Sequence, residues 1–181
     1  MPRAQQPATP RQELDARRRW AGREIGGGVL TPELAEFCQS GLSVILGSRG
    51  IDGRPICGLA LACIVEESGK VRILLRESAN TELLRALDDG AYIAATFSEP
   101  RTHRSVQLKA GSARRFAATA EDLAATARQC AIFMSELESA GYTSEFVSLY
   151  CGYSTDEIGA VEFSPQEAFV QTPGPGAGSA L

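Results

Sequence analysis

With 181 residues, 44% hydrophobic and 22% charged, and a formal net charge of −4, the chain has the composition of one folded domain and not of a disordered segment or a general polyanion binder. No nucleic-acid partner is therefore expected. No apolar run approaches the ~18 residues of a membrane span, and no apolar stretch follows the arginines at 17–19 as a signal peptide would require, so no membrane partner and a cytoplasmic location are expected.

Residues 1–28 read as a flexible leader. Six arginines and three acids up to Glu24 give it a net +3, a short helical stretch falls around 13–20, and Gly26-Gly27-Gly28 marks the domain boundary. Those glycines lack the Lys-Ser/Thr of a phosphate loop. Thr31-Pro32-Glu33 has the chemistry of a helix start: an N-cap hydroxyl, proline at the first position and an acid near the positive dipole end. Residues 42–47 and 56–65 are nearly continuous apolar runs around a Gly50–Gly53 turn, predicting strands buried on both faces, which needs barrel closure plus a covering helix or a second subunit.

Val71, Ile73 and Leu75 alternate with Arg72 and Arg76, a further strand. Residues 78–89 then predict a helix with Asn80 as N-cap and Gly90 past its end. A strand pair follows over 91–98 and 104–116, and in its second member Val106, Leu108 and Ala110 alternate with Ser105, Gln107 and Lys109, one dry face and one wet. Thr119, three residues before Asp122, opens a helix to Ala140, with Leu123, Ala127, Cys130, Met134 and Leu137 as its apolar seam. A short helix over 144–150 and a last strand over 157–163, extended through 168–170, complete a domain spanning 29–171. TPGPGAGSAL, from Thr172 to Leu181, reads as a disordered tail.

The cysteines (Cys38, Cys57, Cys63, Cys130, Cys151) form no Cys-x-x-Cys pair, and His103 is the only histidine, so neither a disulfide framework nor a metal site is expected. A Ser-His-Asp relay would have to use His103, and no Gly-x-Ser-x-Gly elbow serves it. No catalytic residue is assigned from the sequence.

The run from Thr96 to Gly111, TFSEPRTHRSVQLKAG, resembles the central hairpin of the pyridoxamine-phosphate-oxidase-like FMN-binding split barrels. The resemblance covers roughly residues 30–163. It implies an α+β fold with a six-stranded antiparallel Greek-key split barrel and flanking helices, and a homodimer with FMN at the subunit interface. The implied activity is hydride or electron transfer to a small-molecule substrate, with NAD(P)H or oxygen as the other reactant. Arg76, Ser78, Asn80 and Thr81 are the candidates for the FMN phosphate, since a helix N-terminus beside a guanidinium suits an anion. Ser105, Gln107 and Lys109 are the candidates for the ring or ribityl chain.

Departures from the family are specific. Where the pyridoxamine-phosphate oxidases carry Arg followed five residues later by Lys, this chain has Arg54 and Leu59. Their Arg-Gln-Val becomes Arg104-Ser105-Val106, and residues 166–181 contain no Trp, Arg or His. Ser78-Ala79-Asn80-Thr81 keeps the hydroxyl but lacks the basic residue expected behind it. Pyridoxamine phosphate oxidation itself is therefore not expected. A cofactor-free dimeric binding module and a haem-binding split barrel, the latter dependent on His103, stand as alternatives.

Overall fold

Helix α1 (Pro32–Cys38) begins where the Thr31 side chain accepts a hydrogen bond from the Leu34 amide, and it buries Leu34, Ala35, Phe37 and Cys38. The computed structural model describes residues 28–181. The leader expected ahead of the domain lies, up to residue 27, outside the described residues. After α1 come β1 (Ser43–Arg49), β2 (Pro55–Val65), β3 (Val71–Arg76), a single 3₁₀ turn (Ser78–Asn80), α2 (Thr81–Asp88), β4 (Ile93–Ser98) and β5 (Ser105–Ala110). Then follow β6 (Arg114–Ala117), α3 (Ala120–Ser139), α4 (Ser144–Cys151), a second 3₁₀ turn (Thr155–Glu157), β7 (Ile158–Phe163) and β8 (Glu167–Val170).

The fold is α+β, with one antiparallel sheet in the order β6-β7-β3-β2-β1-β4-β5-β8. Eight strands replace the expected six because two long strands are each broken, at residues 111–113 and 164–166. Gly111 and Pro165 sit at the breaks, residue types that tolerate or force an interruption of a ladder. The breaks face each other: Gln166 N donates to Lys109 O at 2.8 Å, and Gly111 N donates to the Gln166 side chain at 2.8 Å. β5 and β6 stand six steps apart in the ladder, about 29 Å if flat, whereas a three-residue link reaches only about 14 Å. The sheet must therefore curl.

Inside the curl lie Val44, Leu46, Ile73, Leu75, Ile93, Ala95, Phe97, Val106, Leu108, Val161 and Val170, closed by Leu34 and Phe37 of α1 and by Leu83 and Leu87 of α2. On the outer face, α3 covers one half of the sheet, where Ala125 packs against Ala62, Leu74 and Ala160. The capping box at its start is as the sequence predicts: Asp122 N donates to Thr119 Oγ1 and Thr119 N to Asp122 Oδ2. The seam of α3 departs from expectation, since Ala125 and Gln129 are buried with Cys130 and Leu137 while Ala127 is exposed.

The reason lies in β2. Its 11 residues outrun both neighbours: β1 pairs with it only up to Ala60, and β3 only from Ala60 on, with a bulge between Ala60 and Ala62. The backbone groups left over are taken by side-chain amides. Gln129 accepts from Cys63 N at 3.0 Å and donates to Cys63 O, and Gln39 accepts from Val65 N at 3.1 Å. At the other end Asn80 accepts from Leu59 N at 3.1 Å and donates to Leu59 O at 2.9 Å. The double burial expected for residues 56–65 holds only where α3 covers the strand; Cys57 and Leu59 are exposed on its outer face.

Residues 172–181, where a disordered tail is expected, turn back along β8. Thr172 Oγ1 accepts from Ser105 N at 3.0 Å, Gly178 N donates to Val170 O at 2.7 Å, and Leu181 N donates to Ala168 O at 2.9 Å. Otherwise-unpaired edge groups of β8 are what hold it there.

Candidate functional site

The outer face left uncovered by α3 forms a platform. Strand register aligns Leu59, Ile45, Thr96, Gln107 and Phe169 in one row across β2, β1, β4, β5 and β8. The next row is Cys57, Gly47, Ala94, Lys109 and Glu167, and on the other side stand Ser43, Ser98 and Ser105. Side chains two apart on a strand share a face, so one sheet surface presents an apolar end, Leu59 and Ile45, and a polar end, Thr96, Gln107 and Lys109. Leu59 is 44% exposed and Ile45 46%, which sets them apart from the buried residues that alternate with them.

The polar end is ordered. Gln107 Nε2 donates to Thr96 Oγ1 at 2.9 Å, and the Lys109 ammonium lies 4.4 Å from the centroid of the Phe169 ring. The middle is low. A Cβ at Gly47 would meet nothing nearer than Ala94 at 4.0 Å, so packing does not demand glycine there, and the missing side chain leaves a shallow cradle over Ala94. A flat apolar floor with donors at one edge suits a planar heteroaromatic group.

The residues expected to hold a phosphate do not come together. Asn80 makes no cap bond to α2; its amide is held by Leu59 and, at 2.8 Å, by Arg76 O, and it is 3% exposed. Its role is to complete β2, which overrides the N-cap reading. The Thr81 hydroxyl bonds back to Ser78 O at 3.2 Å, and Ser78 is exposed at the start of the 3₁₀ turn. Arg76 projects from the outer face of β3 instead, where its guanidinium donates to Gly152 O at 2.9 Å. There it borders a recess with Leu59, Leu61, Phe133, Tyr150 and Cys151. Four strand steps, about 19 Å measured along the curled sheet, lie between its strand and that of Gln107.

Of the residues expected at the ring, Gln107 and Lys109 are on the platform. Ser105 is 6% exposed, and its hydroxyl donates to Ser98 Oγ at 2.8 Å, so its polar group serves the strand pair. His103 sits exposed in the β4–β5 turn with φ 58°. Burial raises the thiol pKa values of Cys38, Cys63 and Cys151 and pushes that of Cys130 up to about 12, which makes these four poor nucleophiles. Ile45, Gly47, Leu59, Ala94 and Thr96 have no counterpart among the sequence candidates, because only cross-strand register shows that they share a row.

No family model and no curated protein matches the chain. Among solved structures, HupZ from group A Streptococcus aligns over 83% of this chain and 98% of its own, at 11% identity and a TM-score of 0.50. A candidate pyridoxamine 5'-phosphate oxidase from Lactobacillus delbrueckii aligns over 78% and 93%, at 16% identity and a TM-score of 0.49. HutZ, the heme storage protein from Vibrio cholerae, aligns over 77% and 92%, at 18% identity and a TM-score of 0.44. At these identities the likeness is one of fold alone: the solved structures that this chain resembles include split-barrel proteins of the pyridoxamine 5'-phosphate oxidase-like kind and a heme storage protein.

Proposed function

We propose that the protein is an FMN-binding, oxidoreductase-like Greek-key split barrel that works as a homodimer, with the flavin ring on the platform. The observation that carries this reading is the row Leu59, Ile45, Thr96, Gln107, Phe169 with the Gly47 cradle beside it. Bound there, FMN would supply hydride or electron transfer between a small molecule and NAD(P)H or oxygen. The protein's own part is positioning: Ile45 and Leu59 exclude water from one side of the ring, and Gln107, fixed by Thr96, and Lys109 present donors at its edge. Exposed Leu59 and Ile45 also support a second copy on this face, since apolar residues grouped on a sheet surface mark interfaces.

The test is optical. Freshly purified protein, or protein titrated with FMN, develops flavin absorption bands and quenches flavin fluorescence on binding. Gln107→Ala weakens FMN by about 1 kcal/mol, the ordinary worth of one hydrogen bond. A colourless protein that rejects micromolar FMN contradicts the reading. The cofactor-free dimeric module then takes its place, a reading favoured by the way Asn80, Thr81 and Ser105 use their polar groups inside the fold. A Soret band would instead support haem, for which His103 is the only histidine available.

A further inference from the structure

The recess beside the platform holds a cation without an ion pair among the described residues. Arg76 is half-buried, donates one hydrogen bond, to the neutral carbonyl of Gly152, and has no carboxylate within 4 Å among the described residues. Three nearby cations differ. Arg72 is paired with Asp122, Arg115 with Glu77 and Asp88, and Lys70 with Glu162. A guanidinium has five N–H donors, so the one bond to Gly152 leaves most of its capacity for another acceptor. The walls around it are mostly apolar or aromatic, with Leu59, Leu61, Phe133, Tyr150 and Cys151 among them and Ser43 as a polar member. A half-desolvated guanidinium against such walls attracts an oxyanion more strongly than one in open water.

We propose that this recess is a binding site for the oxyanion head of a small aromatic acid, with Arg76 meeting the carboxylate and the ring of the acid resting on Leu59 where the recess opens onto the platform. Leu59 belongs to both surfaces, so a molecule anchored at Arg76 has its body at the apolar end of the platform. The assignment concerns the recess and the Leu59 end of the platform, where bound flavin and the acid would compete, so it is tested on protein without flavin.

The test is calorimetric titration of the full chain, without added flavin, with benzoate and with its neutral isostere benzamide. Benzoate binds, and Arg76→Gln weakens it about 10- to 100-fold, the range of a charge-assisted hydrogen bond, while benzamide binds weakly to both proteins and loses nothing. Arg76→Lys retains part of the benzoate affinity, and this separates loss of charge from loss of fold should the glutamine variant prove unstable. A second arm compares FMN with riboflavin on the same variants. If benzoate fails to bind the unmutated protein while Arg76→Gln weakens FMN and spares riboflavin, the oxyanion is the cofactor's phosphate and the aromatic-acid assignment is overturned. Failure of benzoate, FMN and inorganic phosphate alike overturns it too.

Discussion

The outer face of one sheet divides into two halves that the chain treats differently. Over β3, β7 and the end of β2, small residues, Ala62 and Ala160, let α3 lie close, and one cation there, Arg72, is neutralised. Arg72 Nε and Nη2 donate to Asp122 at 2.9 and 2.8 Å, and Asp122 also caps α3. Over β1, β4, β5 and the start of β2, no helix among the described residues covers the sheet, yet Ile45 and Leu59 remain apolar and Gly47 leaves a gap. Polar residues would serve a face meant only for water. The first half is built to close the fold and the second to receive something.

The largest effect should come from breaking the covered half. Arg72→Ala leaves the Asp122 carboxylate, 2% exposed, without its partner and should cost about 3 kcal/mol by urea unfolding, while flavin binding at 25 °C is kept. Acid probes the same pair. Burial alone would raise the Asp122 pKa, but the hydrogen bonds from Arg72 and Thr119 outweigh it and hold the carboxyl below its usual value. A depressed folded-state pKa means stability that is fully present above the unfolded value, about 4, and lost as pH falls through the lower folded one. The slope of unfolding free energy against pH below about 4 should therefore flatten in Asp122→Asn. An unchanged slope would place the acid sensitivity elsewhere.

A smaller loss is expected from the edge beside the open half. Removing residues 172–181 deletes the Thr172 bridge to Ser105 and the cover on β8, and should lower stability by about 1–2 kcal/mol, read as a shift in the unfolding midpoint. An unaltered midpoint would mean that the tail contributes nothing.

Smallest in stability is the platform itself. Ile45→Glu should change monomer unfolding by no more than about 0.5 kcal/mol, because the side chain is already 46% exposed. Light scattering should nonetheless show the proposed dimer dissociating. A dimer that survives the substitution does not use this face.

What could be read from the sequence was local. Thr31, Thr119 and Asp122 signal helix starts by chemistry within one turn, and the wet-dry alternation from Ser105 to Ala110 is written residue by residue. What escaped was set by partners distant in sequence. Asn80 stands where an N-cap belongs, yet the stranded amide and carbonyl of Leu59, 21 residues away, claim its side chain. Gln129 looks like a surface position until Cys63, 66 residues away, is placed beneath it. The strand breaks at Gly111 and Pro165 exist because a curled sheet must turn corners, which no window of alternation reveals. The platform was half legible: Gln107 and Lys109 come from one strand, but their row mates come from four others.

The account rests most on the Gly47 cradle as a seat for a planar cofactor. Gly47→Val places a branched side chain on the platform without forcing the backbone, since the nearest neighbour of its Cβ would be Ala94 at 4.0 Å. FMN titration followed by fluorescence quenching, run beside thermal unfolding of the same samples, measures both consequences at once. The account predicts FMN affinity lowered at least tenfold, about 1.4 kcal/mol, with the melting temperature unmoved. Tight, unaltered FMN binding in Gly47→Val would contradict it.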